Sequence, residues 1–154
     1  MTTIRTTRTG TTAAARRSFS PRFKPLQTAG LLMLCAAYLQ GAIVKLLYFD
    51  AAIAEMEHFG LYPAATSAAA LVVFELGASS MVISGYFRWI GALALAVFTL
   101  LANYIALQFW DMPIGKEQTM TMNAFFEHIG LAGAFLLVAG HDLKVRSKRD
   151  WSAI

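Results

Sequence analysis

Four long apolar runs, separated by short polar segments, dominate the pattern of hydrophobic and polar positions along this chain. The runs lie near Leu26–Phe49, Ala64–Ser84, Trp89–Trp110 and Asn123–Gly140. Each contains about the 20 residues that a helix needs to cross a hydrocarbon core of about 30 Å. Backbone groups in lipid must be paired within their own segment, so each run is expected to be helical. The pattern predicts an all-α membrane protein, a four-transmembrane-helix antiparallel bundle.

The charged residues between the runs indicate the orientation of the bundle. Eleven of the 13 Lys and Arg residues precede the first run, separate the second from the third, or follow the last. These bases are Arg5, Arg8, Arg16, Arg17, Arg22, Lys24, Arg88, Lys144, Arg146, Lys148 and Arg149. The two other gaps carry Asp50, Glu55, Glu57, Asp111 and Glu117, with Lys116 as their only base. Cytoplasmic loops hold the excess of Lys and Arg, so both termini are predicted to be cytoplasmic.

The same bases indicate what the protein contacts. The predicted membrane-surface residues are Arg16, Arg17, Arg22, Lys24, Arg88, Lys144, Arg146, Lys148 and Arg149. Their charges complement the anionic headgroups of the cytoplasmic leaflet. A pI near 9.5 would suggest nucleic acid as the partner of a soluble protein. This chain, 57% hydrophobic and only 14% charged, is too apolar for that class, so we expect the lipid bilayer as a partner and no nucleic acid.

Polarity divides the chain into three segments. Residues 1–25 are basic and rich in Thr and Arg, residues 26–140 form the membrane domain, and residues 141–154 form a second basic segment. We predict that both basic segments are cytoplasmic tails. An Arg-rich, acid-free start also occurs in organelle transit peptides, and Arg16-Arg17 loosely resembles a twin-arginine export signal. The long apolar run and the three spans that follow favour an orienting tail instead.

Six polar residues within the apolar runs are the candidates for a functional site, because polar groups in lipid are costly and usually have a role. They are Gln40, Lys45, Glu75, Asn103, Glu127 and His128. Counting 1.5 Å per residue from the span centres places all six in the outer half of the bundle. Glu75 lies near the midplane, and Lys45 about 10 Å outward of it. This shared depth predicts a polar pocket that opens to the outer face, with Lys45 as the partner of Glu75.

Each of the six residues also has a structural interpretation. Lys45 lies close enough to the membrane boundary to extend its ammonium group into water. In this interpretation Glu127 and His128 line a wet vestibule, and Gln40 and Asn103 form hydrogen bonds between helices. Glu75 is the hardest to explain this way, since a carboxylate at the midplane must be protonated, paired or facing water.

Several kinds of chemistry are not expected from this sequence. Cys35 is the single cysteine, so it can form neither an internal disulfide nor a thiolate metal centre. The three histidines His58, His128 and His141 fall at different depths, which disfavours bis-histidine haem ligation. We therefore predict no catalytic residue, no metal site and no intrinsic cofactor, so any cofactor is a bound quinone or belongs to a partner.

Short motifs in the spans resemble the DoxX family of small four-helix membrane proteins. Span one ends with Gln40-Gly41-Ala42-Ile43-Val44-Lys45-Leu46, similar to the family's Gly-x-x-Lys-Leu, although Ala42 stands where Gly is usual. The segment Phe59-Gly60-Leu61-Tyr62-Pro63 is similar to the family's Gly-x-Pro turn, with one extra residue. The segment Phe74-Glu75-Leu76-Gly77 followed by Gly85-Tyr86-Phe87-Arg88 resembles its second span, and 123–137 its last. The likeness covers about residues 26–140.

This resemblance implies a bacterial inner membrane protein that crosses the membrane several times. Members of the family are associated with quinone-linked oxidoreductases, including thiosulfate:quinone oxidoreductase, and Lys45, Glu75 and Arg88 are the matched polar positions. An organellar membrane is the alternative location. The leading hypothesis is a membrane subunit of a redox or respiratory complex, which anchors a partner or contributes to a quinone-linked site in the outer half of the bundle.

Two other hypotheses stay open at this point. One is a transporter or permeability protein for a small solute, although the chain is short and lacks the broken helices of transporters. The other is a membrane scaffold without a ligand, in which the polar residues only join helices. Under all three hypotheses the protein assembles either with other subunits of a complex or with copies of itself.

Overall fold

A computed structural model describes residues 23–151 of this chain, and the side-chain surroundings of residues 25–148. Residues 23–151 contain five α-helices, namely α1 Phe23–Leu47, α2 Phe49–His58, α3 Ala64–Ser84, α4 Arg88–Ala106 and α5 Lys116–Trp151. A single 3-10 turn, Phe109–Asp111, lies between α4 and α5. Of the predicted membrane-surface residues, Arg16, Arg17 and Arg22 lie outside the described residues, as do the side chains of Lys24 and Arg149.

The predicted fold class is confirmed. In the described part of the chain, four helical segments are long and apolar enough to cross a membrane, namely Pro25–Leu47, Ala64–Ser84, Arg88–Asp111 and Lys116–Lys148. Residues 23–151 contain no β-strand. The second span has the predicted bounds, because Pro63 precedes its first turn and Gly85 ends it in the left-handed conformation. The cytoplasmic location of the two termini stays a prediction.

The polar gap after the first span contains the short helix α2. Ala52 and Met56, four residues apart, form the buried face of this ten-residue helix. They pack against Ala64 and Ala68 at the start of α3. A helix this short is marginal alone and depends on such packing. Because α2 is too short and too polar to span a membrane, hydropathy did not reveal it.

The last helix differs most from its prediction. Hydropathy placed the fourth span at Asn123–Gly140, whereas α5 has 36 residues, Lys116–Trp151. The helix therefore continues into the segment predicted as the C-terminal tail. Arg146 Nε lies 2.9 Å from Asp142 Oδ2, an ion pair one helical turn apart that supports this extension. Hydropathy identifies the part of a helix that lies in lipid, not the ends of the helix itself. By contrast, α4 ends at Ala106, before the predicted Trp110.

The core lies between the four spanning helices. Helix α1 packs on α3, α3 on α4, and α4 on α5. The central residues of the core are fully buried, among them Cys35, Val82, Leu95 and Phe135. The Tyr38 ring meets Phe135 at 5.5 Å between centroids, which joins α1 to α5 across the bundle. Lipid is as apolar as these side chains, so close packing rather than escape from water holds the helices together.

The turn between α3 and α4 closes the end of the bundle away from α2. Gly85 ends α3 with φ +83°, and Phe87 also has a positive φ, 51°. Arg88 Nε donates a 2.8 Å hydrogen bond to the carbonyl oxygen of Val82, one of the acceptors that the end of a helix leaves free. The Arg146 guanidinium lies 5.9 Å above the Phe87 ring. Thus two predicted membrane-surface bases contact the protein, whereas Lys144 and Lys148 are exposed.

Substituting Gly85 with alanine is expected to lower the free energy of unfolding by about 1–2 kcal/mol, the cost of the left-handed conformation for a residue with a Cβ. The added Cβ would also lie 2.9 Å from Arg88 Nη2 and disturb the cap on α3. Reversible unfolding in mixed detergent micelles measures the change. Gly140→Ala is the control, because nothing lies within 4 Å of its added Cβ. Equal effects of the two substitutions would contradict this account of the turn.

Candidate functional site

A cavity of about 370 Å³ lies among α1, α3, α4 and α5, at the end of the bundle that α2 covers. Most of its wall is apolar. The polar residues that line it are Tyr38, Lys45, Glu55, Glu75, Thr99 and His128. Met56 and Phe59 contribute to the wall from α2 and the residue that follows it. Helix α2 therefore forms one boundary of the cavity, and its exposed Glu55 lies where the cavity approaches the surface.

Lys45 and Glu75 form an ion pair in the wall. Lys45 Nζ lies 3.5 Å from Glu75 Oε1, and the two side chains are 16% and 6% exposed. A buried carboxylate needs such a partner, since removing a charge from water is costly. Gly41 stands one helical turn before Lys45, and a Cβ there would lie 3.7 Å from Glu75 Oε2. Gly41, which also lines the cavity, therefore lies beside the pair.

The second oxygen of this carboxylate has no partner among the described residues. Glu75 Oε2 is buried and makes no hydrogen bond within residues 25–148. Buried polar atoms nearly always have a partner, so an exception in a cavity wall indicates a position for a ligand or water donor. An ionised carboxylate only accepts hydrogen bonds. Glu75 Oε2 therefore offers an acceptor to a hydroxyl or N–H group in the cavity.

His128 contributes a second free acceptor. Its Nδ1 lies 2.7 Å from the carbonyl oxygen of Ala124, one turn earlier in α5. A carbonyl oxygen only accepts a hydrogen bond, so Nδ1 carries the proton in this contact. In the neutral ring the proton-free nitrogen is then Nε2, which accepts a hydrogen bond or a proton. The tautomer thus follows from the backbone of α5.

The hydroxyl hydrogens of Tyr38 and Thr99 are both used in hydrogen bonds within the protein. Thr99 Oγ1 donates to the carbonyl oxygen of Leu95, one turn earlier in α4. Its only hydrogen is thereby used, so Tyr38 Oη is the donor in the hydrogen bond between Tyr38 and Thr99. Both residues are buried. The hydroxyl pair joins α1 to α4, and the unused hydrogen-bonding capacity of the cavity lies mainly at Glu75 and His128.

The structure brings together three of the six predicted polar residues. Lys45, Glu75 and His128 line the same cavity. Asn103 is buried outside it and donates from Nδ2 to the carbonyl oxygen of Phe125 at 3.1 Å, a hydrogen bond between α4 and α5. The two others, Gln40 and Glu127, are exposed and do not line the cavity. Whether the three residues together form a functional site stays a prediction.

Sequence reasoning missed three polar residues of the cavity. Glu55 lies in a polar gap between two apolar runs. The spacing of Ala52 and Met56, four residues apart, is the signal in the sequence that this gap contains a helix. Tyr38 and Thr99 were overlooked because only ionisable and amide side chains were counted. Tyr38 and Lys45 are seven residues apart, about two helical turns, so they lie on one face of α1. That spacing would have identified Tyr38.

A cavity of this kind suits a small neutral molecule that has both donors and acceptors. Lys45 is a donor, Glu75 Oε2 and His128 Nε2 are acceptors, and the remaining wall is largely apolar. Within residues 25–148, no group of three His, Cys, Asp or Glu side chains could hold a metal ion. Lys45, Glu75 and His128 offer hydrogen bonding and proton transfer.

Comparisons with known proteins agree with the motifs in the spans. The model of the DoxX family matches residues 29–108, which include Lys45 and Glu75 but not His128. The inner membrane protein YphA of Escherichia coli (strain K12) is 30% identical over 95 residues, which cover 62% of this chain and 67% of the relative. No solved structure matches the chain significantly. The predicted multi-pass location in a bacterial inner membrane is confirmed.

Proposed function

The chain belongs to the DoxX family, and from this premise we propose that it is the membrane subunit of a redox complex whose cavity binds a quinone headgroup. One observation carries the proposal: the buried, unpaired Glu75 Oε2 lies in the wall of a cavity that also contains Lys45 and His128. When bound, a quinone takes up two electrons from a partner subunit and two protons, and leaves as a hydroquinone.

The residues of the cavity fit both forms of such a headgroup. Lys45 Nζ donates to a quinone carbonyl oxygen, while Glu75 Oε2 accepts from a hydroquinone hydroxyl. The volume of about 370 Å³ falls within the range of small-molecule pockets. The apolar wall suits an aromatic ring and keeps the ion pair away from bulk water. Lys45 thus recognises the ligand before reduction, and Glu75 recognises it afterwards.

The chain also provides a path for protons between the cavity and water. His128 Nε2 carries no proton in the tautomer fixed by Ala124, so it exchanges a proton with a bound hydroxyl group. Glu55 lines the same cavity and is exposed, so its carboxylate passes protons to the aqueous phase. Glu75 and His128 are thus proposed to exchange protons with the ligand, and Glu55 with water.

Electrons and part of the interface must come from another subunit under this proposal. Gln40 and Glu127 are exposed on helices that cross the membrane. Lipid cannot hydrogen-bond these side chains, and polar groups facing lipid are rare for that reason. We therefore assign the surfaces around Gln40 and Glu127 to contacts with the partner subunit.

Binding of a benzoquinone with a decyl chain, to the protein in lipid nanodiscs, tests the proposal. Glu75→Gln removes the charged acceptor but keeps the shape of the side chain. A hydrogen bond to a charged group contributes about 1.5–3 kcal/mol, so we expect the affinity to fall by about tenfold or more. His128→Ala is expected to weaken binding as well. Calorimetry or the change in tryptophan fluorescence measures the dissociation constant.

Glu127→Gln is the matched control, since it makes the same chemical change on the exposed surface of α5. Its affinity for the quinone is expected to equal that of the natural protein. A natural protein that binds no quinone, with or without its partner, would overturn the proposal. Solute flux in proteoliposomes that Glu75→Ala abolishes would then identify a transporter. Unaltered binding by Glu75→Gln would place the headgroup elsewhere.

A further inference from the structure

A second and larger void lies on the outside of the bundle, between α3 and α4. This groove has a volume of about 760 Å³ and only apolar lining residues. Along α4 its wall extends from Trp89 to Leu101, twelve residues or about 18 Å. Both helices cross the membrane, so the groove faces the hydrocarbon region. Such a surface suits a hydrocarbon chain.

The groove and the polar cavity are neighbours. Leu71, Phe98 and Leu101 line both voids, so a single layer of three side chains separates them. Phe98 is half-buried in this layer, and its ring lies 5.2 Å from that of Phe74 and 6.4 Å from that of Tyr38. Leu101 is 59% exposed, so packing does not fix its rotamer. The layer is therefore thin, and one of its members is free to move.

We propose that the groove between α3 and α4 holds the hydrocarbon chain of the ligand whose headgroup occupies the cavity, and that Leu71, Phe98 and Leu101 form the gate between the two. This inference rests on the proposed function. A quinone with a long chain is dissolved in the bilayer and reaches a site from the side. The alternative route, past the exposed Glu55, would carry the chain through water, which is unfavourable for every CH₂ group.

The gate distinguishes this occupant from an ordinary lipid. Any acyl chain of the bilayer can fill an apolar groove without moving a side chain. A chain attached to a headgroup in the cavity must pass between Leu71, Phe98 and Leu101. Enlarging one of these residues therefore blocks a ligand that has a chain, but it leaves room for a headgroup that enters without one.

The experiment compares two benzoquinones that share one headgroup, of which one has a decyl chain and the other has none. Phe98→Trp and Leu101→Trp enlarge a side chain of the gate and so narrow the passage. Leu101 is exposed, so its position tolerates the larger side chain. Because Phe98 and Leu101 also line the headgroup cavity, we expect each substitution to weaken binding of the decyl compound by about tenfold or more beyond any effect on the short compound. Leu100→Trp is the matched control, because Leu100 is exposed on α4 but lines neither void.

The outcomes separate this inference from the proposed function. A larger loss of affinity for the decyl compound than for the short compound, in both gate variants and not in Leu100→Trp, supports the gate. Unchanged binding of both compounds by the gate variants overturns the gate and leaves the quinone site in place. An equal loss of both compounds also overturns it, because the substitutions then act on the headgroup. A natural protein that binds neither compound overturns the proposed function and the gate together.

Discussion

Replacing Glu75 with alanine is expected to lower the free energy of unfolding by about 3–5 kcal/mol, the cost of leaving one charge of a buried pair without its partner. The Lys45 side chain is 16% exposed and forms its only ion pair among residues 25–148 with Glu75. Truncation of Glu75 also enlarges the cavity and removes packing contacts around it. Unfolding in mixed micelles of a mild detergent and sodium dodecyl sulfate measures the loss.

Removing both charges together separates stability from ligand binding. In Lys45→Met with Glu75→Leu, apolar side chains of similar size replace the pair, a change that is often neutral or stabilising. We expect this double variant to regain most of the stability that Glu75→Ala loses, yet to bind no quinone. A change of less than about 1 kcal/mol for Glu75→Ala would instead mean that water solvates the pair. Recovery of quinone binding in the double variant would contradict the proposed function.

Gly91→Leu is expected to prevent assembly of the bundle, and Gly91→Ala to destabilise it by about 1–3 kcal/mol, the usual cost of overpacking. A Cβ at this position would lie 2.7 Å from the carbonyl oxygen of Ala78 and 2.8 Å from Met81 Cβ. Neither atom is the end of a flexible side chain, so the two helices would have to separate. The close approach of α3 and α4 thus depends on this one position.

Gly130→Ala serves as the control for Gly91. It makes the same change within α5, where nothing lies within 4 Å of the added Cβ. Alanine favours a helix over glycine by up to about 1 kcal/mol, so the control should be neutral or slightly stabilising. Thermal unfolding in detergent, followed by circular dichroism, compares the two variants. A stable Gly91→Leu variant with normal helix content would refute this view of the packing.

Much of the fold could be predicted from hydropathy and loop charge alone. The spans agree because a membrane requires apolar helices of a minimum length, so composition determines their number and approximate place. The bounds of α3 were correct since Pro63 and Gly85 have local conformational reasons to end a helix. In contrast, α2 depends on tertiary contacts of Ala52 and Met56. No rule based on apolar runs identifies a helix of that kind.

The sequence indicates how deep in the membrane each polar residue lies, but depth alone does not indicate which way its side chain points. The rise per residue places all six polar residues in one half of the bundle, and three of them line one cavity. Direction around the helix axis decides the rest. Gln40 lies two residues from the buried Tyr38, which is about 200° around α1, so it points away from the core. Combining rise with rotation would have excluded Gln40 and included Tyr38.

The length of α5 makes this protein sensitive to the thickness of its bilayer. Its 36 residues give a helix of about 54 Å, whereas a bilayer with its headgroups measures about 40–45 Å. A tilt of about 20°, the average for membrane helices, shortens the projection of α5 only to about 51 Å. At least one end of α5 therefore extends beyond the headgroups into water as continuous helix. A thicker bilayer would cover more of this end of α5, and a thinner one would leave more of it in water.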